Sequence, residues 1–168
     1  ESLKKVIVFT KTKLTANDIF KYIERKVGGT VRVIHANKGQ NSRINSINAF
    51  KGGEVRLLIS TDVTARGIDV SEVSHVINFD VPSLYEDYVH RIGRTGRAFK
   101  TGIAISFVNE AEQYHIKNIE KIIDMKIEVN PLPEDLEIFE TDKTEAFDLA
   151  REIDFWKRRE DPTFKGAF

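Results

Sequence analysis

The sequence predicts a doubly wound α/β domain built on a mostly parallel sheet. Three features of the chain lead to it. Short apolar runs rich in β-branched residues recur without the polar alternation of a half-exposed strand, so they read as strands buried on both faces. The segments between them carry apolar residues at helical spacing. Glycine pairs close two of those segments, where a helix needs a left-handed end.

The elements follow in order. Residues 6–9 form the first apolar strand. Thr15, Ala16, Asn17 and Asp18 open a helix through Ile19, Phe20 and Ile23, which Gly28 and Gly29 stop. Residues 31–34 are the second strand. A helix over 42–50 presents Ile44, Ile47 and Phe50 and closes at Gly52 and Gly53. Strands over 55–59 and 73–79 come next, then a helix over 84–92 behind Pro82 and Ser83. A fifth strand covers 103–108. A long helix over 110–123 places Ile116, Ile119, Ile122 and Ile123 on one side, and 125–129 reads as a last short strand.

Pro131, Leu132 and Pro133 close this unit, giving one domain over 1–131 and an acidic extension over 132–168. Residues 134–142 read as extended. The segment 144–159 has helical spacing through Phe147, Ala150, Ile153, Phe155 and Trp156. It is an amphipathic helix that packs back on the domain or docks elsewhere. Lys157, Arg158 and Arg159 are its solvated face or an added basic surface, with the first reading favoured.

Composition narrows the class. Hydrophobic residues make up 40% and charged residues 31%, as in a soluble globular chain of 168 residues. No run of eighteen apolar residues is present, so no membrane-spanning helix is predicted. The start carries no signal segment, and the missing initiator Met predicts a piece cut from a longer chain. The lack of Cys excludes a disulfide framework and a thiolate metal site, and suits a cytoplasmic setting. The formal charge is zero but uneven: residues 1–131 carry 20 Lys+Arg against 15 Asp+Glu, and 132–168 carry 6 against 11. A basic body is compatible with nucleic-acid binding, although charge alone fits simple solvation as well.

In open α/β sheets, function sits in loops beyond the strand C-termini. The unusual residues fall there. Within residues 88–97, His90, Arg91, Arg94 and Arg97 alternate with Gly93 and Gly96. Glycine lets backbone approach a ligand, and arginine suits bidentate phosphate contacts. A helix ending in repeated Gly-Arg spacing wastes stability unless the arginines have a target. Residues 60–69 hold Ser60, Thr61, Thr64, Arg66, Gly67 and Asp69, which fit a sugar-phosphate backbone or, equally, a capped turn. Residues 35–43 place Lys38 and Arg43 about a helix start, where an ordinary N-terminus with a solvated Arg is the better reading of the segment alone. Residues 9–13 are weaker still. His35, His75 and His115 lie on separate elements as strand-end or surface residues and make no metal site.

Together the four segments resemble the C-terminal helicase-core domain of superfamily 2, specifically the DEAD-box family of RNA helicases. Residues 6–12 look like motif IV, 40–43 like the Gln-x-x-Arg element and 60–69 like motif V. Residues 90–97 match motif VI, His-Arg-x-Gly-Arg-x-Gly-Arg, where related DEAH and RecQ-like groups usually carry Gln at the position of His90. The resemblance covers residues 3 to about 130, and its spelling looks like the bacterial RhlE type. It implies a RecA-like sheet with helices on both faces.

It further implies roles. Arg94 and Arg97 would act as arginine fingers on ATP bound to an N-terminal RecA-like domain, stabilising charge during phosphoryl transfer. Asp69, with Gly67, would bind the nucleotide. Thr61, Arg66, Gly67, Gln40, Arg43 and Thr10 would contact RNA phosphates, independently of base sequence. His90 and Arg91 would couple the two domains, or Arg91 would instead pair with an acidic side chain inside its own domain. Ala36 departs from the usual Gly after His35. Phe99 replaces a common Gly, and no role follows for it.

The chain has no Gly-x-x-x-x-Gly-Lys-[Ser/Thr] segment and no Asp-Glu-Ala-Asp run. ATP and Mg2+ would therefore be held mainly by the N-terminal domain, and the chain alone is expected to be an inactive half of an ATP hydrolase. A monomer is the default. The competing expectations are a helicase-like module that only binds RNA or protein, and a superfamily 2 enzyme on DNA. Paired Arg94 and Arg97 disfavour the first, and His90 with its neighbours disfavours the second.

Overall fold

A computed structural model describes residues 4–65, 70, 73–96, 102–137 and 140–166. Five strands and six helices are found among them: β1 (Val6–Thr10), α1 (Lys13–Val27), β2 (Val31–Ile34), α2 (Gln40–Gly52), β3 (Leu57–Thr61), α3 (Asp62–Ala65), β4 (His75–Asn78), α4 (Tyr85–Ile92), β5 (Ile103–Ser106), α5 (Gln113–Ile123) and α6 (Lys143–Glu160). The chain divides into two units, Glu1–Val108 and Asn109–Phe168.

In the first unit all five strands are parallel, in the order β2-β3-β1-β4-β5. Pleating sends successive side chains of β1 to opposite faces. Ile7 and Phe9 join Leu58, Val76, Ile34 and Phe50 in one core cluster, which α2 closes. Val6 and Val8 join Val31, Val33, Ile59 and Ala16 in the other, which α1 closes through Ile19, Phe20 and Ile23. This two-sided burial is why the strands read as unbroken apolar runs. β5 departs from the expectation, since Ile103 and Ile105 remain 42% and 43% exposed.

Helix ends follow local chemistry. Thr12 caps α1, its hydroxyl accepting from the Thr15 N–H at 3.1 Å, so the helix starts earlier than its apolar spacing suggests. Gly28 ends it with φ of 68°, a conformation that glycine adopts without steric cost. Asp62–Ala65, expected as loop, is a short helix leading directly from β3.

The second unit pairs α5 with α6. Trp156 stacks on Tyr114 with ring centroids 4.7 Å apart and planes 17° apart. His115 meets the same indole edge-on at 4.5 Å. Lys117 bridges to Glu160 at 2.8 Å. The amphipathic segment thus packs on α5 and begins at Lys143 under an Asp142 cap. Hydrogen bonds from Thr144, chiefly from its backbone N–H, hold the Asp142 carboxyl below its usual range. The strand expected over 125–129 is not formed. The Glu120 carboxylate takes the Ile127 N–H at 2.9 Å and the Lys126 ammonium at 2.6 Å, so local side-chain bonds replace a ladder there.

Candidate nucleic-acid interface

The C-terminal edge of the sheet gathers the segments singled out in the sequence. Register puts Thr10 opposite Thr61, and Phe9 opposite Asn78, so the loops after β1, β3 and β4 emerge side by side. One side chain ties them together. Arg91, near the end of α4, is 2% exposed. Its Nε and Nη2 donate to the two carboxylate oxygens of Asp62 at 2.6 and 2.8 Å, a fork-to-fork pair. Its Nη1 donates to Asn78 Oδ1 at 3.1 Å and to the Asp80 carbonyl at 2.7 Å. The guanidinium also lies over the Phe9 ring, 5.1 Å from its centroid. A buried charge needs this degree of satisfaction, because removing one partner would leave the other stranded in low dielectric.

Of the two expectations for Arg91, the structure bears on the pairing inside its own domain. The guanidinium faces into its own domain, and the acidic partner is Asp62. Asp80 extends the knot, its carboxylate accepting the Lys11 N–H at 2.7 Å. The segments resembling motifs IV, V and VI are therefore one mechanical assembly.

His90 lies on the outer side of the same helix, its side chain 64% exposed, with Nδ1 at 3.8 Å from an Asp87 carboxylate oxygen. Arg94 follows the helix end, its N–H donating to the Arg91 carbonyl at 3.1 Å. The next turn is anchored by the Thr95 hydroxyl, which donates to the Val73 carbonyl at 2.6 Å. Gly102 presses on that turn: a Cβ there would collide with the Thr95 side chain and the Gly96 nitrogen.

Thr61 is half-buried, its hydroxyl 3.5 Å from that of Thr64. Thr10 needs a correction. It is fully buried, and its hydroxyl donates to the Thr12 carbonyl at 3.1 Å, so it shapes the loop and offers RNA no side-chain contact. Gln40 and Arg43 sit together at the start of α2, where Arg43 Nη1 donates to Gln40 Oε1 at 3.2 Å. His35 stands at the end of β2, with Nε2 3.1 Å from Asn17 Oδ1. Burial first, then the Lys38 and Lys13 charges, lower its pKa below the ordinary 6.5. All three remaining histidines are buried, His35 at 4%, His75 at 7% and His115 at 9% exposure, rather than surface residues.

Arg66, Gly67, Asp69, Arg97 and Phe99 lie outside the described residues. Sequence reasoning missed Asn78, Tyr88 and Ser106, three polar groups at strand and helix positions that look merely structural. The one available sign was an Asn closing an apolar strand.

Comparison with known proteins bears on the family of the chain. Residues 1–99, more than half of the chain, match the model of the helicase conserved C-terminal domain. The DEAD-box ATP-dependent RNA helicase RhpA of Helicobacter pylori is 42% identical over 130 residues, covering 77% of this chain and 26% of that protein. The ATP-dependent RNA helicase RhlB of Shewanella frigidimarina is 43% identical over 131 residues, covering 78% and 30%. Among solved structures, the E. coli DEAD-box protein SrmB, bound to regulator of ribonuclease activity A, aligns with a TM-score of 0.69 at 30% identity over 82% of each chain. The chain therefore belongs to the helicase conserved C-terminal domain family, as a RecA-like domain of the DEAD-box type. It spans about a fifth to a third of the length of the curated relatives it matches.

Proposed function

We propose that this chain is the half of an ATP-dependent RNA helicase core that grips the RNA backbone and lends arginine fingers to ATP held by an N-terminal RecA-like domain. The observation that carries the proposal is the Arg91 knot. It spends a fully buried guanidinium on joining Phe9 of β1, Asp62 after β3 and the end of β4 to α4. A buried ion pair adds little net stability over apolar packing, so its use here fits a demand for one fixed geometry. That geometry holds exposed His90 and the following Arg94 against a common edge.

In this reading Gln40, Arg43, Thr61, Arg66 and Gly67 take RNA phosphates, independently of base sequence. Asp69 meets the nucleotide ribose. Arg94 and Arg97 stabilise charge as phosphate passes to water. His90, carried on the stapled helix, relays closure between nucleotide and RNA. Duplex opening follows when both domains close and bend one strand. The helicase domain runs to residue 131, with 132–168 as an extension, and the protein acts as a monomer of the RhlE type in the cytoplasm.

ATP is the substrate. Mg2+ takes only one or two protein carboxylates beside the nucleotide phosphates, and in this reading they come mainly from the N-terminal domain. Its seat belongs with the N-terminal domain. No described helix is long and apolar enough to cross a membrane.

The test is ATP turnover by the chain alone, and by the chain joined to the N-terminal helicase domain of its parent protein. No turnover alone, with RNA-stimulated turnover when joined, is expected. Turnover by the pure chain would overturn the half-site reading. A folded, joined pair that binds RNA but never hydrolyses ATP would favour a binding module.

A further inference from the structure

The Arg91 guanidinium is only one of two points at which α4 is held. One turn earlier, Tyr88 is 4% exposed. Its hydroxyl accepts from the Ser106 hydroxyl at 3.4 Å, and Ser106 in turn accepts from Asn78 Nδ2 at 3.0 Å. Asn78 Oδ1 accepts from Arg91 Nη1 at 3.1 Å. The bonds close a ring: Asn78 to Arg91, down one turn of α4 to Tyr88, across to Ser106 on β5 and back to Asn78. Asn78 itself is fully buried.

The chemistry of this position is restrictive. Toward Arg91 it must present an acceptor, because a guanidinium has only donors. Toward Ser106 it presents a donor, which frees the Ser106 hydrogen for Tyr88. A carboxamide does both while staying neutral. A carboxylate would add a second buried negative charge beside Asp62. An apolar residue would leave an Arg91 N–H unpaired in the interior. Two fixed points on one helical turn also set the rotation of the helix about its axis, which a single point cannot do.

We propose that Asn78 is a positioning residue for the phosphoryl-transfer step. It sets the rotation of α4, and through it the aim of Arg94, whose own N–H is bonded to the Arg91 carbonyl. Asn78 touches neither nucleotide nor RNA. This rests on the function proposed above, in which Arg94 is a finger.

The experiment is a double-substitution cycle on RNA-stimulated ATP hydrolysis, with the chain joined to its N-terminal helicase domain. Asn78→Leu is made alone, together with Arg94→Ala, and beside Arg94→Ala alone. Ser106→Ala, which breaks the ring but spares every Arg91 bond, serves as a second variant should Asn78→Leu fail to fold. Asn78→Leu should lower kcat by about 10–100-fold, as small misplacements of a catalytic group do, with KM for ATP within about threefold. In the Arg94→Ala background either ring variant should change kcat by less than about threefold, because a finger already removed cannot be mis-aimed. Equal losses in both backgrounds would mean that Asn78 only supports the fold, and would overturn the proposal. So would a ring variant with unchanged kcat. If Arg94→Ala alone leaves hydrolysis intact, the fault lies instead in the finger reading.

Discussion

Asp62 is the residue on which the edge of the sheet turns. Its carboxylate is 22% exposed, while the Arg91 side chain it pairs with is 2% exposed. Substituting Asp62→Asn leaves that guanidinium short of charge in the interior, where losing one partner of a buried pair costs about 3–5 kcal/mol. Because Asp62 keeps some water contact, the expected loss lies near 3 kcal/mol, the lower end of that range. Urea unfolding of the chain measures it, and an unshifted midpoint would contradict the knot. His35 gives a second residue-scale test, with a pH sign. Its folded pKa lies below the unfolded value of 6.5, so the unfolded chain binds the proton first as pH falls. The stability that neutral His35 contributes is present above pH 6.5 and is lost as pH drops through the window beneath it. Unfolding midpoints against pH should show that loss, and His35→Gln should flatten it. Imidazole resonances titrating at or above 6.5 would contradict it.

At the scale of elements, periodicity was the readable part. β2 occupies the predicted residues 31–34, and α6 covers the predicted helix with one residue more at each end. Pleat and helical period leave those traces because one face or both must be buried. What stayed hidden was decided by single side chains. Thr12 pulled the start of α1 forward, Glu120 took the Ile127 amide of the expected last strand, and Thr10 looked like a contact residue until its hydroxyl turned inward. The site was legible as clusters of Arg, Gly and hydroxyl residues at strand ends. Its inner wiring was not, because the contacts joining Asp62, Asn78 and Ser106 to α4 span 13 to 29 residues with no local pattern. The α5–α6 pair yields its own prediction. Trp156 is the contact on which Tyr114, His115 and Phe155 converge. Trp156→Ala should release α6, seen as faster proteolysis within residues 143–160. Unchanged proteolysis would show that α6 is held by something else.

For the whole molecule, charge is divided unevenly between the two units. Residues 1–108 carry 17 Lys+Arg and 10 Asp+Glu, and residues 109–168 carry 9 and 16. The first unit therefore bears the field that a phosphate backbone would meet. Binding of single-stranded RNA to the chain should weaken steadily with salt. Arg43→Ala should weaken it to a similar degree on unrelated sequences and reduce the slope of log affinity against log salt by about 1. A loss confined to one RNA sequence would point to base readout instead.

A domain that completes another domain's ATP site must do so through its arginine fingers. With the chain joined to the N-terminal helicase domain of its parent, RNA-stimulated ATP hydrolysis is measured for the unaltered protein, for Arg94→Ala and for Arg97→Ala. Each substitution should reduce kcat by about 10³-fold or more while the protein stays folded and binds RNA. Hydrolysis that persists at full rate without either arginine would contradict the account.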